Sequence, residues 1–486
     1  MTSITAATEC PTIGHLIGGK LYSSTNLSDV IDPGRRSDVV GRVAVGNVED
    51  VDNAVRAAHA AYSSWRRSTL QERASLLLKA SGVLANNAEQ LVPLLVREHG
   101  GVLWEARTDF ELGAGVLQHT AGLIEEFFEA VCIDDDKSAI RIEKQPRGVA
   151  AAIVPWNMPI VLAMMKLAPA VATGNSIVIK PSPVAPAAPS IALQKIAELF
   201  PPGVINVVQG DIEVGEALTT HPLVRKVGFT GGVTTARSVM SGAAAMIKNI
   251  TLELGGNDPA IVLDDADIDT TLDRMLPGIF TRTGQICFAV KRVYVPRAMH
   301  DNFIAALCER LEPFVVGHGL SEGVNFGPLA TEAQYRKVID LIEAAKVSGA
   351  DVIQTGRLAG DISEDSGYYI LPHVVANAQH DSAISSCEQF GPVIPVISYD
   401  DEQQAVEWAN DSEYGLCSSV WTSNYDRGWT LASQIEAGTT FINTHSFESL
   451  DLRMPFGGIK QSGIGREFGL FGMREYVEDH AIRLLK

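Results

Sequence analysis

Paired cysteines are missing from this 486-residue chain: its six (Cys10, Cys132, Cys287, Cys308, Cys387 and Cys417) include no Cys-x-x-Cys pair, and its 11 histidines do not cluster. That spacing argues against a disulfide framework and a zinc site, so no metal is expected, and it suits a reducing, cytoplasmic setting. Basic charge is also short. Thirty-nine Lys and Arg face 58 Asp and Glu, a formal charge of −19, which opposes nonspecific binding to nucleic acid or to an anionic membrane. Residues 1–11 lack a basic region followed by an apolar run, so no secretory signal is read there. The longest apolar stretch, 148–165, is interrupted by Pro155, Asn157 and Pro159 and reads as a strand, a loop and a helix start instead of a membrane span. The Gly-x-Gly-x-x-Gly fingerprint of dinucleotide sites is absent, as are internal repeats and low-complexity tracts. Small-molecule chemistry is what remains.

At this length two or three domains are expected. Residues 49–100 read as helical scaffold: Leu76, Leu77, Leu78, Val83, Leu84, Leu91, Leu94 and Leu95 recur near helical spacing, and Thr69-Leu70-Gln71-Glu72 has capping-box form. Residues 138–146 alternate apolar with polar, as a half-exposed strand does, and the segment after Tyr476 is a candidate partner for it. From Val149 short apolar strands alternate with helices, at 150–154, 176–179, 204–208, 226–229 and 250–254. That alternation predicts an open, largely parallel α/β sheet, with a second α/β unit from Pro259. The proline-rich piece 181–189 is read as a loop and helix start inside the first unit.

Three settings carry chemistry. Cys287 follows Gly284 and is flanked by Ile286 and Phe288; a cationic neighbour such as Lys291 or Arg292 just beyond would favour its thiolate, a good nucleophile toward carbonyl carbon. A small core cysteine is the plainer reading. Glu253, thirty-four residues upstream among apolar neighbours, is a candidate base with its pKa raised by desolvation, or else a structural hydrogen-bond partner. Asn157, between Trp156 and Met158, is a candidate oxyanion donor or a loop-satisfying amide. Glycines at 210–215 and 231–232 each follow a strand, where backbone amides could approach a pyrophosphate, although either segment also fits an ordinary turn.

Taken together, Cys287, Glu253 and Asn157 resemble the nucleophile, general base and oxyanion donor of the aldehyde dehydrogenase superfamily, and the resemblance runs over nearly the whole chain. It implies an α/β fold of two open α/β domains plus a small β flap. The Rossmann-like cofactor domain would take 1–131 and 149–254, the catalytic domain 255–445, and the bridging strands 132–148 and 468–486. It also implies a homodimer or homotetramer built on that flap. The lysine of the catalytic group is Lys166, fourteen residues before Lys180 and in register with the family.

For the cofactor, the resemblance points to the first strand end and the loop after it (Ile153, Val154, Pro155, Trp156), then to Lys180, Ser182 and Pro183. Gly210, Val214 and Gly215 follow, then Phe229, Thr230, Gly231, Gly232 and Thr235, then Leu254. Phe-Thr-Gly-Gly is similar to the family's Phe-Thr-Gly-Ser, with Ala236 where the family usually keeps glycine. Glu388-Gln389-Phe390-Gly391-Pro392 resembles the family's Glu-x-Phe-Gly-Pro element, which would place Glu388 on the nicotinamide ribose and Phe390 on the ring. Pro183 stands where many NAD-using members carry a glutamate that repels a 2′-phosphate. NAD is the expected cofactor, with NADP left open.

Asn443 and the segment 455–467 match the family's late asparagine and C-terminal signature. Met158, Met165, Ile286, Phe288 and Phe456 are expected to line an apolar tunnel, which suits a medium to bulky apolar or aromatic aldehyde oxidised to its acid. Arg282 and Arg453 raise a semialdehyde reading. Yet succinate-semialdehyde members carry their carboxylate-binding arginine one position before Arg282, which here is Thr281. A coenzyme A-acylating member generally lacks the glutamate at Glu253, and a retired enzyme kept as a binding protein would have lost nucleophile or base.

Overall fold

The computed structural model describes residues 10–360, 362 and 366–486. The reading of a missing secretory signal falls mostly on residues 1–9, outside the described residues. Two sheets organise the chain, as the alternation from Val149 predicts. The first has eight strands in the order Gly463–Ile464, Asn249–Glu253, Val224–Thr230, Val149–Ile153, Ser176–Lys180, Ile205–Val207, His15–Ile17, Lys20–Tyr22. Its five inner strands are parallel, and the pairings toward both edges are antiparallel. The second has seven strands, ordered Asp351–Gln354, His373–Ala376, Val393–Tyr399, Val290–Pro296, Asp258–Val262, Cys417–Trp421, Thr439–Ile442, all parallel but the first.

Inner strands such as Val149–Ile153 and Ser176–Lys180 are buried along their whole length, so they read as continuous apolar runs and not as alternation. The strand Ser138–Pro146 does alternate, and it pairs residue for residue with Val477–Leu485, the partner expected after Tyr476. With Val131–Asp134 these make a third sheet whose Val131, Ile133, Leu484 and Leu485 are exposed. Among the described residues no helix is long and apolar enough to cross a membrane.

The helical scaffold is as expected in outline and differs in detail. Helices Val48–Trp65 and Leu70–His99 cover the 49–100 region. Thr69 Oγ1 accepts from Glu72 N at 3.1 Å, a cap that contributes about 1 kcal/mol, but the return bond of a full capping box is not made. Leu77, Leu84, Leu91 and Leu95 form the buried stripe of the second helix while Leu78 is exposed, so the leucine run is wider than the face that packs. Two elements escape the sequence pattern. Gly463–Ile464, from the C-terminal signature, crosses back to extend the first sheet beside Asn249–Glu253. Thr12–Ile13, Leu27–Asp32 and Arg35–Ala44 form a small separate sheet.

The stretch 148–165 resolves as read: the strand Val149–Ile153, a loop, then the helix Pro159–Ala172 with proline in its first turn, where its missing N–H costs nothing. Ile153, Lys180, Thr230 and Glu253 each end a parallel strand of the first sheet. Ligands of open α/β sheets bind at those carboxyl ends.

Candidate active site

Cys287 sits on a turn that the helix Ile268–Phe280 delivers. Arg282, Thr283 and Gly284 all take left-handed backbone (φ +57°, +57° and +74°), and a Cβ on Gly284 would run into the Gly391 carbonyl. The kink turns the chain so that Cys287 lies in the walls of two cavities at once. Asn157, held by the start of the next helix, is 5 % exposed and donates from Nδ2 to the Gln285 carbonyl at 3.0 Å, which leaves its second amide hydrogen free. Asn157 and Cys287 line the same two cavities.

The thiol is pushed up to about 12, chiefly by burial, with Glu253, Asp258 and Glu388 adding to the rise and Lys291 opposing it. The sequence offered Lys291 or Arg292 as the helping cation. Only Lys291 helps. Adjacent strand residues point to opposite faces. Arg292 is spent on the Asn257, Trp408 and Ala409 carbonyls and the Tyr294 hydroxyl.

Glu253 is 3 % exposed, and neither carboxylate oxygen has a hydrogen-bond partner among the described residues. Burial raises its pKa well above the carboxylate range, and Glu467 raises it further against the pull of Lys166 and Arg466. Lys166 Nζ and Glu467 Oε1 form a buried pair at 2.6 Å. The four residues expected to act in catalysis are thus gathered, Cys287, Glu253 and Asn157 at the cavities and Lys166 behind Glu253.

One cavity opens at the strand ends. Pro155, Trp156, Thr230, Gly231, Gly232, Leu254, Glu388 and Phe390, all among the expected cofactor residues, line it together with Asn157, Glu253 and Cys287. Glu388 Oε1 accepts from Gly256 N at 3.2 Å, and Phe390 meets Trp156 edge-on at 5.8 Å. The other expected cofactor residues lie outside this cavity. Lys180 is buried at its strand end with Nζ on the Pro181 and Gly210 carbonyls, Gly215 faces Lys180 and Ile153, and burial lowers the lysine to about 8. Val154, Val214 and Phe229 are core side chains, Ser182 Oγ accepts from Val184 N, and Pro183 and Thr235 are exposed. Gln334 and Lys337, one turn apart on the helix Glu332–Val347, also line the cavity; no motif marks them in the sequence.

The second cavity is an apolar tunnel. Met158, Met165, Ile286, Phe288 and Phe456 line it as expected. Leu112 and Val116 from the helix Leu103–Phe127, with Val161, Leu162, Phe447, Leu450, Leu452 and Phe468, complete it, and sequence reasoning missed them. Phe288 packs edge-on against both Phe447 and Phe456. Neither arginine faces the tunnel. Arg282 is fully buried, bonding the Asn157 and His99 carbonyls and pairing with Glu105, and Arg453 is exposed and tied to Asp451.

The Cys287 thiol is thus shared by an apolar tunnel and a glycine-rimmed cleft at parallel strand ends. The chain belongs to the aldehyde dehydrogenase family, whose family model it matches over residues 22–482. Among its relatives, aldehyde dehydrogenase LUC3 of Fusarium sp is 36% identical over 477 residues, 98% of this chain and 99% of that one. Lactaldehyde dehydrogenase from Escherichia coli superposes with a TM-score of 0.93 at 32% identity, covering 98% of this chain and 100% of that chain. Betaine aldehyde dehydrogenase from Staphylococcus aureus, solved in complex with NAD+, gives 0.92 at 33% identity, covering 97% and 94%.

Proposed function

We propose that the protein oxidises medium to bulky apolar or aromatic aldehydes to carboxylic acids, with NAD as its preferred cofactor and Cys287 as nucleophile. The observation that carries this reading is the position of Cys287, at the end of a tunnel lined by Phe288, Phe447, Phe456 and Phe468 and in the wall of the cofactor cleft. The cleft suits a polyhydroxylated dinucleotide. Thr230 Oγ1 is buried there with no partner among the described residues, Gly232 leaves open space where a Cβ would stand, and Glu388 offers a carboxylate for ribose hydroxyls. Lys180, Ser182, Gly210 and Gly215 would hold the adenosine end.

When bound, NAD+ supplies the hydride acceptor. Cys287 adds to the carbonyl carbon once its proton is taken, and the oxygen that becomes negative is held by Asn157 Nδ2 and the Cys287 backbone N–H. Loss of hydride leaves a thioester on Cys287. Glu253, whose burial gives it high proton affinity, takes the thiol proton, releases it to solvent before hydrolysis, then takes one from the attacking water and returns it to the departing Cys287 thiolate; Lys166 and Arg466 favour its charged form and Glu467 opposes it. The presence of Glu253 favours hydrolysis over transfer to coenzyme A.

Lactaldehyde and betaine aldehyde, after which two structural neighbours are named, are small and polar or cationic. The tunnel here places no charged side chain on its wall, which favours an uncharged substrate and counts against a carboxylated semialdehyde. The test is nicotinamide absorbance over a panel of aromatic, aliphatic, carboxylated and cationic aldehydes, each with NAD and with NADP. Aromatic or long aliphatic aldehydes with NAD should give the highest kcat/KM; a carboxylated substrate leading the panel would refute the substrate reading.

The division into cofactor, catalytic and bridging parts carries over as a proposal, supported by the two large sheets and the third small one. So does a homodimer or homotetramer in the cytoplasm. Its support is the apolar surface that Val131, Ile133, Leu484 and Leu485 expose on the small sheet, and light scattering that finds a monomer would refute it.

A further inference from the structure

The turn that carries Cys287 is gripped from behind by a cation. Lys291, 3 % exposed on the strand Val290–Pro296, donates from Nζ to the carbonyls of Ile286 (3.0 Å), Cys287 (2.6 Å) and Ala289 (3.4 Å). The one remaining carbonyl of the turn, Phe288 O, receives His445 Nε2 at 2.8 Å. The tautomer of His445 follows from its other contacts: Trp421 Nε1 donates to Ser419 Oγ, whose own hydrogen is then free for His445 Nδ1 at 2.9 Å. Nε2 therefore carries the proton, and burial keeps the ring neutral. Neither Lys291 nor His445 lines the tunnel or the cleft, so four successive carbonyls are drawn away from the side where chemistry would occur.

Peptide geometry turns that grip into a direction. The Ile286 carbonyl and the Cys287 N–H belong to one planar trans peptide unit and point opposite ways. A lysine behind the first aims the second forward. The Cys287 N–H donates to no acceptor among the described residues, as an oxyanion donor in waiting would. Charge adds to this. The titratable groups that act on the thiol are Lys291 below it, Glu253 on the strand Asn249–Glu253, Asp258 at the head of the next strand, and Glu388 from the loop beyond. Cys417 and His445 complete the surroundings of Lys291. Burial pushes Asp258 up to about 8, so Glu388, 3.7 Å from Lys291 Nζ, is the lysine's standing counter-charge.

We propose that Lys291 is a positioning residue: it holds the nucleophile turn so that the Cys287 N–H faces the oxyanion site, and it places a positive charge behind the sulfur. The inference rests on the reading of Cys287 as nucleophile. In the full chain, Lys291→Met and Lys291→Arg are compared with the parent for two properties. One is the pH dependence of Cys287 alkylation by iodoacetamide, with the modified residue identified by peptide mass. The other is the single-turnover burst of NADH with an aromatic aldehyde. Lys291→Met should move the alkylation profile up by at least about one pH unit and slow the burst about a hundredfold, the scale of one lost oxyanion donor. KM for the aldehyde should change less than about threefold, and Lys291→Arg should recover much of the burst. If Lys291→Met does not fold, Lys291→Gln, which keeps a donor without the charge, should show the same upward alkylation shift. An unshifted profile with a parental burst overturns the proposal, and so does a loss confined to thermal stability and KM. Full turnover in parent enzyme already alkylated at Cys287 would instead overturn the nucleophile reading, whatever Lys291 does.

Discussion

Asn157→Ala is the substitution whose consequence the structure specifies most closely. The Asn157 backbone is anchored independently of its side chain, because Arg282 Nε donates to the Asn157 carbonyl at 3.0 Å and Pro159 opens the helix that follows. Truncation therefore removes the amide without moving the chain. One of its two N–H groups bonds Gln285 O, and losing that bond costs about 1 kcal/mol of stability. The other is the proposed oxyanion donor, whose removal costs about 2.7–4 kcal/mol in the transition state, or about a hundred- to a thousandfold in rate. The assay is the stopped-flow burst of NADH at saturating aldehyde, with Cys287 alkylation as a control. The burst should fall by that factor, alkylation should hold within about threefold, and the unfolding midpoint should drop only a few degrees. A burst within threefold of the parent's would refute the oxyanion assignment.

Phe456→Ala removes the ring that packs on Phe288 and Phe468; kcat/KM for an aromatic aldehyde should fall about tenfold or more, with a two-carbon aldehyde nearly unaffected. Equal losses for both would show that the tunnel does not select by size. Lys166→Met strands a buried Glu467 and should cost about 3–5 kcal/mol in urea unfolding, most of it recovered by adding Glu467→Gln. Full additivity of the two would deny the pairing. Glu98, fully buried and accepting from Ala187 N and Ala188 N, is raised to about 8 by burial. Between its unfolded value of 4.5 and about 8 the folded chain keeps a proton that the unfolded chain releases. The stability it contributes is therefore full below that window and lost as pH climbs through it, by at most about 1.4 kcal/mol per unit. Glu98→Gln should flatten the slope in urea titrations from pH 5 to 8, and an unchanged slope would place the proton elsewhere.

What could be read from the sequence was what short motifs or strong periodicity carry. The inner strands, the two long helices and the pairing of 138–146 with the C-terminal segment follow from apolar pattern alone. Cys287, Glu253 and Asn157 stand in local contexts distinctive enough to be paired across 130 residues of chain, and all three line one cavity. The tunnel wall was half legible: its residues near those motifs were found, whereas Leu112 and Val116 lie on an ordinary amphipathic helix whose inward face gives no hint that a cavity is beyond it. Gln334 and Lys337 were hidden for the same reason. The choice between Lys291 and Arg292 is a matter of strand phase, which adjacent cations do not reveal until the register with Asp258–Val262 is known. The strand Gly463–Ile464 is two residues long, too short for any period to show.

The central claim is that Cys287 carries the acyl group between oxidation and hydrolysis. Glu253→Gln, mixed with NAD+ and an aromatic aldehyde, quenched and analysed by intact and peptide mass, tests it most directly. One equivalent of NADH should form with an acyl adduct on Cys287 that persists far longer than in the parent. NADH formed without any adduct at Cys287, or an adduct on another residue, would contradict the account.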